Sequence, residues 1–293
     1  MKGIILAGGQ GTRLHPLTGA INKHLLPVYN KPMIYYPLSV LMLTGIREIL
    51  VISTPFDLPT FRKILGDGSN WGLSITYAAQ TQPRGIADAF LVGEEFIGKD
   101  SVSLILGDNI FYGSTLPERL KRASEISHGG LIFAYKMMNP REYAVIEFSR
   151  AGNVLTPLGI EEKPEHPKSM FAIPGLYFYD NQVIEIARSL KPSKRGELEI
   201  TDVNKIYLKN GMLLMEELGR GIAWLDAGAP DTLHQAGNFV QAVEERQGMM
   251  ISCPEEIAYR MAYISGGQLK QLLDKMPDNY YKQYLASLIA GVI

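Results

Sequence analysis

Three glycines, an arginine and a lysine near the start of the chain have the types and spacing to hold a string of phosphates. The run Gly3-Ile4-Ile5-Leu6-Ala7-Gly8-Gly9-Gln10-Gly11-Thr12-Arg13-Leu14 passes from apolar residues straight into glycines. Ile4 to Leu6 reads as a buried strand. Glycine lets the backbone turn tightly and come close to a ligand, because no Cβ intervenes. Free N–H groups in such a loop cradle phosphate, and Arg13 adds a planar set of donors. Lys23 follows closely. The bland alternative is that Ala7 to Gly11 is only a flexible turn.

Two commoner phosphate loops are excluded. The chain has no G-x-x-x-x-G-K-[ST] run, and a G-x-G-x-x-G starting at Gly9 would end on Leu14 rather than glycine. A second candidate is Asp108, which follows the apolar run Val102 to Leu106. Strand ends in open α/β sheets face the ligand crevice, which would put Asp108 beside the glycine loop. A lone Asp after a strand is also a common turn or helix cap. Asp226, beside Trp224, is the second acid of this kind.

The elements that must position these residues alternate. After the first strand, Lys31-Pro32-Met33 opens a helical stretch to about Thr44, with Pro32 suited to its first turn and Gly45 to its end. Glu48 to Ser53 reads as strand, Leu58 to Leu65 as helix, Ser74 to Ala79 as strand and Ile86 to Phe96 as helix. Val102 to Leu106 is a strand ending at Gly107-Asp108-Asn109. Such alternation implies parallel pairing with helices on both faces, a Rossmann-like α/β fold. From Leu131 strands dominate: Leu131 to Lys136, Ala144 to Phe148, Val154 to Ile160, and Met170 to Tyr179 with a bend at Pro174-Gly175. Asn181 is expected to cap the next helix. A helix reaches about Lys209, Met212 to Leu218 is strand, and Asp231 to Arg246 is helix. The last segment is helical, with Gly266-Gly267 as punctuation. The division expected is one α/β domain over 1–250, with a first half to about 130 and a β-rich half over 131–250. A C-terminal helical appendage, 251–293, would supply packing or subunit contacts.

Composition narrows the classes. At 293 residues, 46% hydrophobic, the chain has ample apolar content for a core. A net charge of −1 argues against a bulk nucleic-acid or anionic-membrane binder, so basic groups should matter locally. The single Cys253 excludes an intrachain disulfide and a cysteine-cluster metal site. No apolar run approaches the ~18 residues of a membrane span, and no signal peptide is visible, so the expectation is a soluble, cytoplasmic protein.

Taken in order, these runs resemble the sugar-1-phosphate nucleotidyltransferases, and among them the glucose-1-phosphate thymidylyltransferases. The similarity rests on Gly9 to Leu14, Lys23 to Pro27, Lys31 to Leu38, Gly66 to Leu73, Leu106-Gly107-Asp108-Asn109, Glu161 to Pro164, Gly175 to Asp180, Gly196 to Asp202, and Cys253 to Arg260. Each run is weak alone; their order and joint presence are specific. The resemblance implies transfer of a nucleotidyl group from a nucleoside triphosphate, foremost dTTP, to a sugar 1-phosphate, foremost glucose 1-phosphate, giving dTDP-sugar and pyrophosphate. It implies that Gly8, Gly11 and Thr12 contact the nucleotide while Arg13 and Lys23 hold the triphosphate. Asp108 and Asp226 match the acids that bind Mg²⁺, whose hard character suits carboxylate and phosphate oxygens. Lys163 and Arg195 would grip the sugar phosphate. Gln80 and Gly85 would read the base, and Glu162 and Tyr177 would contact the sugar. Glu256, Ile257 and Arg260 match a regulatory region between subunits. The family is commonly a homotetramer.

The departures gather around the sugar and base pockets. His24 replaces a family glutamine, Asp88 another, Ala144 (after Tyr143) a glycine, Pro174 a threonine, and Ala227 and Ala229 threonines. A buried carboxylate such as Asp88 needs partners; the alternative is that it faces solvent. Phosphate and metal residues are intact. The physiological sugar, strictness for dTTP over UTP, feedback and pathway stay open. Alternatives are the same chemistry on another sugar or cyclitol phosphate, or with UTP, and a non-catalytic nucleotide-sugar-binding regulatory protein.

Overall fold

Strand Lys2–Leu6 runs parallel between Glu48–Ser53 and Val102–Leu106, and Ser74–Ala79 continues the parallel set beyond Glu48–Ser53. Ile4, Ile5, Ile49, Val51, Ile52, Leu104 and Ile105 on these strands are all buried, because helices cover both faces. The computed structural model describes residues 1–9 and 11–291; Gln10, inside the glycine loop, and residues 292–293 of the expected C-terminal segment lie outside the described residues.

Past Val102–Leu106 the pairing changes. Leu176–Tyr179 is antiparallel to Val102–Leu106 and to Gly130–Lys136. Ala144–Ala151 and Val154–Glu162 form a long antiparallel hairpin, joined to Gly130–Lys136 through the two-residue strand Phe171–Ala172. Leu213–Leu218 returns parallel to Gly130–Lys136. Among the described residues the strands up to Leu106 thus form the parallel part of one ten-stranded sheet, and the strands from Gly130 on its mixed continuation. Gln82 to Ile86 links strand to helix through Gly85, whose φ of +100 suits only glycine, and a Cβ there would meet the Leu198 nitrogen at 2.6 Å.

Four local expectations are corrected. Lys31–Pro32 is not the start of a helix but a short strand paired with Pro27–Val28; the helix is Tyr35–Leu43. Lys31 is drawn into this hairpin by a buried ion pair with Glu244 at 2.8 Å. The stretch Ile86 to Phe96 is two helices, Asp88–Val92 and Glu94–Ile97, parted at Gly93. Asn181 does not cap the helix Val183–Ser189. Its amide donates instead to the carbonyls of Gly98 and Asp100, while Asp180 Oδ1 accepts the Gln182 N–H at 3.1 Å. Gly266-Gly267 does not break the C-terminal segment. It opens the helix Gly266–Lys275, because Ser265 and Gln268 exchange side-chain and backbone hydrogen bonds there.

Two further strands, Asn109–Gly113 and Ile222–Asp226, pair antiparallel with each other in a separate ladder. The segment after residue 250 packs on the first half of the chain: Ile257, Ala258, Ile264 and Leu269 share a hydrophobic core with Leu38, Leu41, Met42 and Trp71. Tyr263 fixes the contact by donating to the Met42 carbonyl at 2.9 Å. No helix among the described residues is long and apolar enough to cross a membrane.

Candidate active site

The glycine loop and Asp108 leave the sheet side by side, since Lys2–Leu6 and Val102–Leu106 are neighbours and Gly107 N–H donates to the Leu6 carbonyl at 3.0 Å. The root of the loop is pinned. Ala7 N–H donates to Ile52, and the Ala7 carbonyl accepts from Ser53 Oγ at 2.8 Å and Asn22 Nδ2 at 3.2 Å. Thr18 Oγ1 donates to the Gly11 carbonyl at 2.9 Å, and Thr12–Leu14 is a single helical turn that carries Arg13. Lys23 Nζ reaches across to Asp108 Oδ2 in a hydrogen-bonded ion pair.

Asp108 and Asp226 are brought together by the separate ladder. Asp226 pairs opposite Asn109, and Ala227 N–H donates to the Asp108 carbonyl at 2.9 Å. Asp226 Oδ1 accepts the Gly228 N–H at 2.8 Å, and Oδ2 accepts from the Tyr143 hydroxyl at 3.3 Å. Glycine is required at 228 by closeness: a Cβ there would stand 2.8 Å from both Arg13 Nη2 and Asp226 Oδ1. Burial and the neighbouring Asp108 charge raise the Asp226 carboxyl above its ordinary range. Burial also works against the Asp108 charge, yet Lys23, His24 and the Asn109 amide hold it well below that range. Two carboxylates so placed, Asp108 buried and Asp226 half-buried, form a centre of negative charge with hard oxygen donors, suited to a divalent cation that keeps other positions for water or phosphate oxygens. Among the described residues no cluster of three or more His, Cys, Asp or Glu could hold a metal without such outside ligands.

A cavity of about 230 Å³ opens where the parallel and antiparallel parts of the sheet meet. It brings together nine of the residues expected from sequence: Arg13, Asp108, Tyr143, Ala144, Glu162, Lys163, Tyr177, Arg195 and Asp226. Among the described residues neither Arg13 nor Lys163 has an ion-pair partner. Lys163 is also held at a φ of +43, a region that costs a side-chain-bearing residue energy. Glu162 accepts a hydrogen bond from Thr201 Oγ1, which leaves its other oxygen toward the cavity. Arg195 is held by both Glu199 oxygens, at 3.0 and 2.9 Å, with Glu197 and Glu162 nearby. Burial and the Glu162 charge raise the Tyr177 hydroxyl, which keeps it neutral and able to donate.

Gly8, Gly11, Thr12 and Lys23 belong to the loop rather than to this cavity's wall. Gln80 and Asp88 line another cavity of about 240 Å³, and Gly85 O lies 3.4 Å from Gln80 Nε2. Asp88 is buried, so the expectation that it needs partners holds. They are Gln80 and Arg84, on the side of the glycine loop and not in the first cavity. His24 is also buried, and its Nδ1 meets Asn22 Oδ1 at 2.7 Å. Glu256, Ile257 and Arg260 lie elsewhere, lining a cavity of about 430 Å³ with Leu43, Phe111 and Met261.

Two site residues were not singled out from sequence. Asn109 Oδ1 accepts from Trp224 Nε1 at 2.7 Å and from Gly175 N–H at 3.0 Å, while its amide donates to Asp108 at 3.0 Å. It is the hub that joins the strand end, the ladder and the bend at Gly175. The available signal was its place in Leu106-Gly107-Asp108-Asn109. Trp224, visible from sequence only as a neighbour of Asp226, packs edge-on against Tyr143 with ring centres 4.9 Å apart.

Comparison with known proteins places this geometry. The nucleotidyl transferase family model matches residues 2–243. A glucose-1-phosphate thymidylyltransferase of Neisseria meningitidis is 55% identical over 289 residues, covering 99% of both chains. One from Mycobacterium tuberculosis is 56% identical over the same length, also covering 99% of both. A Bacillus anthracis structure, solved with sucrose and provisionally assigned the same activity, superposes with a TM-score of 0.73 at 40% identity, covering 82% of this chain and 94% of its own. A UDP-glucose pyrophosphorylase bound to UDP-glucose shares the fold, with a TM-score of 0.72 at 23% identity over 83% of this chain and 98% of its own.

Proposed function

The chain belongs to the nucleotidyl transferase family, and we infer that it joins the nucleotidyl group of a nucleoside triphosphate, foremost dTTP, to a sugar 1-phosphate, foremost glucose 1-phosphate, releasing pyrophosphate. The observation that carries this reading is one cavity lined by the buried Asp108 and the half-buried Asp226, and by the cations Arg13 and Lys163, neither of which forms an ion pair among the described residues. Such a site attracts phosphate from two substrates while tolerating a metal ion.

In this reading the loop N–H groups from Gly8 to Thr12, with Arg13 and Lys23, hold the triphosphate. Lys163 and Arg195 hold the phosphate of the sugar, and Glu162, Tyr177 and the Tyr143-Ala144 backbone seat its ring. Gln80 and Gly85 meet the base. An oxygen of the sugar phosphate forms a bond to the α-phosphorus as the bond from that phosphorus to the bridging oxygen breaks. The electron pair leaves with pyrophosphate. A phosphate monoester is largely dianionic at neutral pH, so no side chain has to remove a proton. The protein's work is alignment and charge neutralisation. Asp108 and Asp226 would hold a divalent cation, Mg²⁺ in this reading, which when bound would neutralise charge on the phosphate oxygens. Asn109 and Tyr143 orient the two acids.

The same reading takes the protein as a cytoplasmic homotetramer and assigns the second cavity, at Glu256, Ile257 and Arg260, to regulation. The test of function is pyrophosphate release with Mg²⁺, crossing dTTP, UTP, CTP, GTP and ATP against a panel of sugar and cyclitol 1-phosphates. Turnover with dTTP and glucose 1-phosphate supports it. Turnover with another pair alone re-specifies the substrate. Tight nucleotide binding without turnover on any pair sinks it in favour of a binding protein.

A further inference from the structure

We propose that Asp88 is a positioning residue that turns the Gln80 amide so that its carbonyl oxygen faces the nucleotide base, which selects a pyrimidine presenting a ring N–H, thymine or uracil, over cytosine. This rests on the nucleotide reading of the site given above. Gln80 Nε2 donates to Asp88 Oδ2 at 2.9 Å and lies 3.4 Å from the Gly85 carbonyl oxygen. A carboxylate and a backbone carbonyl only accept hydrogen bonds, so the end of the amide that faces them must be its NH₂. Oxygen is forced to the opposite end. There Gln80 Oε1 stands 3.1 Å from the point a Cβ on Gly8 would occupy, against the phosphate loop. Among the described residues nothing donates to that oxygen, although Gln80 is buried to 8% exposure.

An acceptor that is not sealed from solvent and has no donor among the described residues is free to take one from a ligand. Thymine and uracil carry N3–H; cytosine has a lone pair at the same ring position, which would oppose the Gln80 oxygen. An amide turned the other way would reverse the preference, and Asp88 is what prevents the turn. The Asp88 side chain is 5% exposed and fixed at the start of the helix Asp88–Val92. Arg84, 3.6 Å away, is 58% exposed, so its ion pair is a minor support.

The experiment measures kcat/KM for dTTP and dCTP at fixed sugar 1-phosphate in wild type, Asp88→Asn, Gln80→Ala and the double variant. Asn at 88 can donate or accept, so it frees the amide to turn. The preference for dTTP should fall at least about tenfold in Asp88→Asn, with kcat on dTTP changed less than about threefold. In the Gln80→Ala background, Asp88→Asn should leave the preference unchanged, because the effect passes through Gln80. A wild type without preference, an unaltered preference in Asp88→Asn, or an equal drop in both backgrounds would overturn the proposal. Asp88→Ser serves if Asp88→Asn does not fold. If no triphosphate turns over, the functional reading has failed separately, and the same four proteins are compared by calorimetric binding of dTTP and dCTP.

Discussion

Asp226 lies directly opposite Asn109 in the short antiparallel ladder, and this register is what sets Asp226 beside Asp108, which immediately precedes Asn109. Neither strand of that ladder belongs to the main sheet. The acid pair is therefore assembled by a dedicated element. Replacing either Asp108 or Asp226 with Asn keeps size and most hydrogen bonds but removes a charged oxygen donor. Turnover at saturating Mg²⁺ should fall about 10³-fold, with an unchanged circular dichroism spectrum. Full activity in either variant would overturn the proposal that these acids bind the metal.

Trp224→Phe tests the hub. It deletes the 2.7 Å hydrogen bond to Asn109 Oδ1 but keeps an aromatic face for Tyr143. A lost buried hydrogen bond costs about 1 kcal/mol of stability. The larger effect should be on kcat, a drop of roughly tenfold, because a small misplacement of the acids misaligns the reacting atoms. Stability falling with kcat untouched would make Trp224 a core residue only.

Much of the site was legible because its residues sit at ends of strongly apolar strands. Ile4 to Leu6 and Val102 to Leu106 are unmistakable, and parallel pairing then forces the glycine loop and Asp108 together. The ladder was not legible. Gly107-Asp108-Asn109 carries turn residues, which hide the strand Asn109–Gly113 that follows. Ile222–Asp226 is flanked by Gly219 and Gly221 and has no neighbour in the main sheet to betray it. Lys31 misled for a related reason: its place is fixed by Glu244, far along the chain, and no local pattern carries that.

Gly228→Ala adds one methyl group beside Arg13 and Asp226. Arg13 or the acid must move to admit it. KM for the triphosphate should rise and kcat/KM fall by more than about tenfold, while the melting temperature moves little. Wild-type kinetics in this variant would show that Arg13 does not work from its observed position.

His24 gives the pH prediction. Burial, with the adjacent Lys23 charge, lowers its pKa from 6.5 to about 3. The unfolded chain therefore binds a proton between those values that the folded protein refuses, so stability falls as pH drops below 6.5. Each unit in that window costs up to about 1.4 kcal/mol. Urea midpoints measured from pH 7.5 to 4.5 should decline less steeply for His24→Gln than for wild type. Equal slopes would place the acid sensitivity elsewhere.

The most direct test of the central claim follows the α-phosphorus. With dTTP labelled at the α-phosphate, Mg²⁺ and glucose 1-phosphate, label should pass into a nucleotide sugar one-for-one with pyrophosphate released. The transfer should require the sugar phosphate and be lost in Asp226→Asn. Label appearing as free dTMP regardless of sugar, or remaining in bound dTTP, would contradict nucleotidyl transfer at this site.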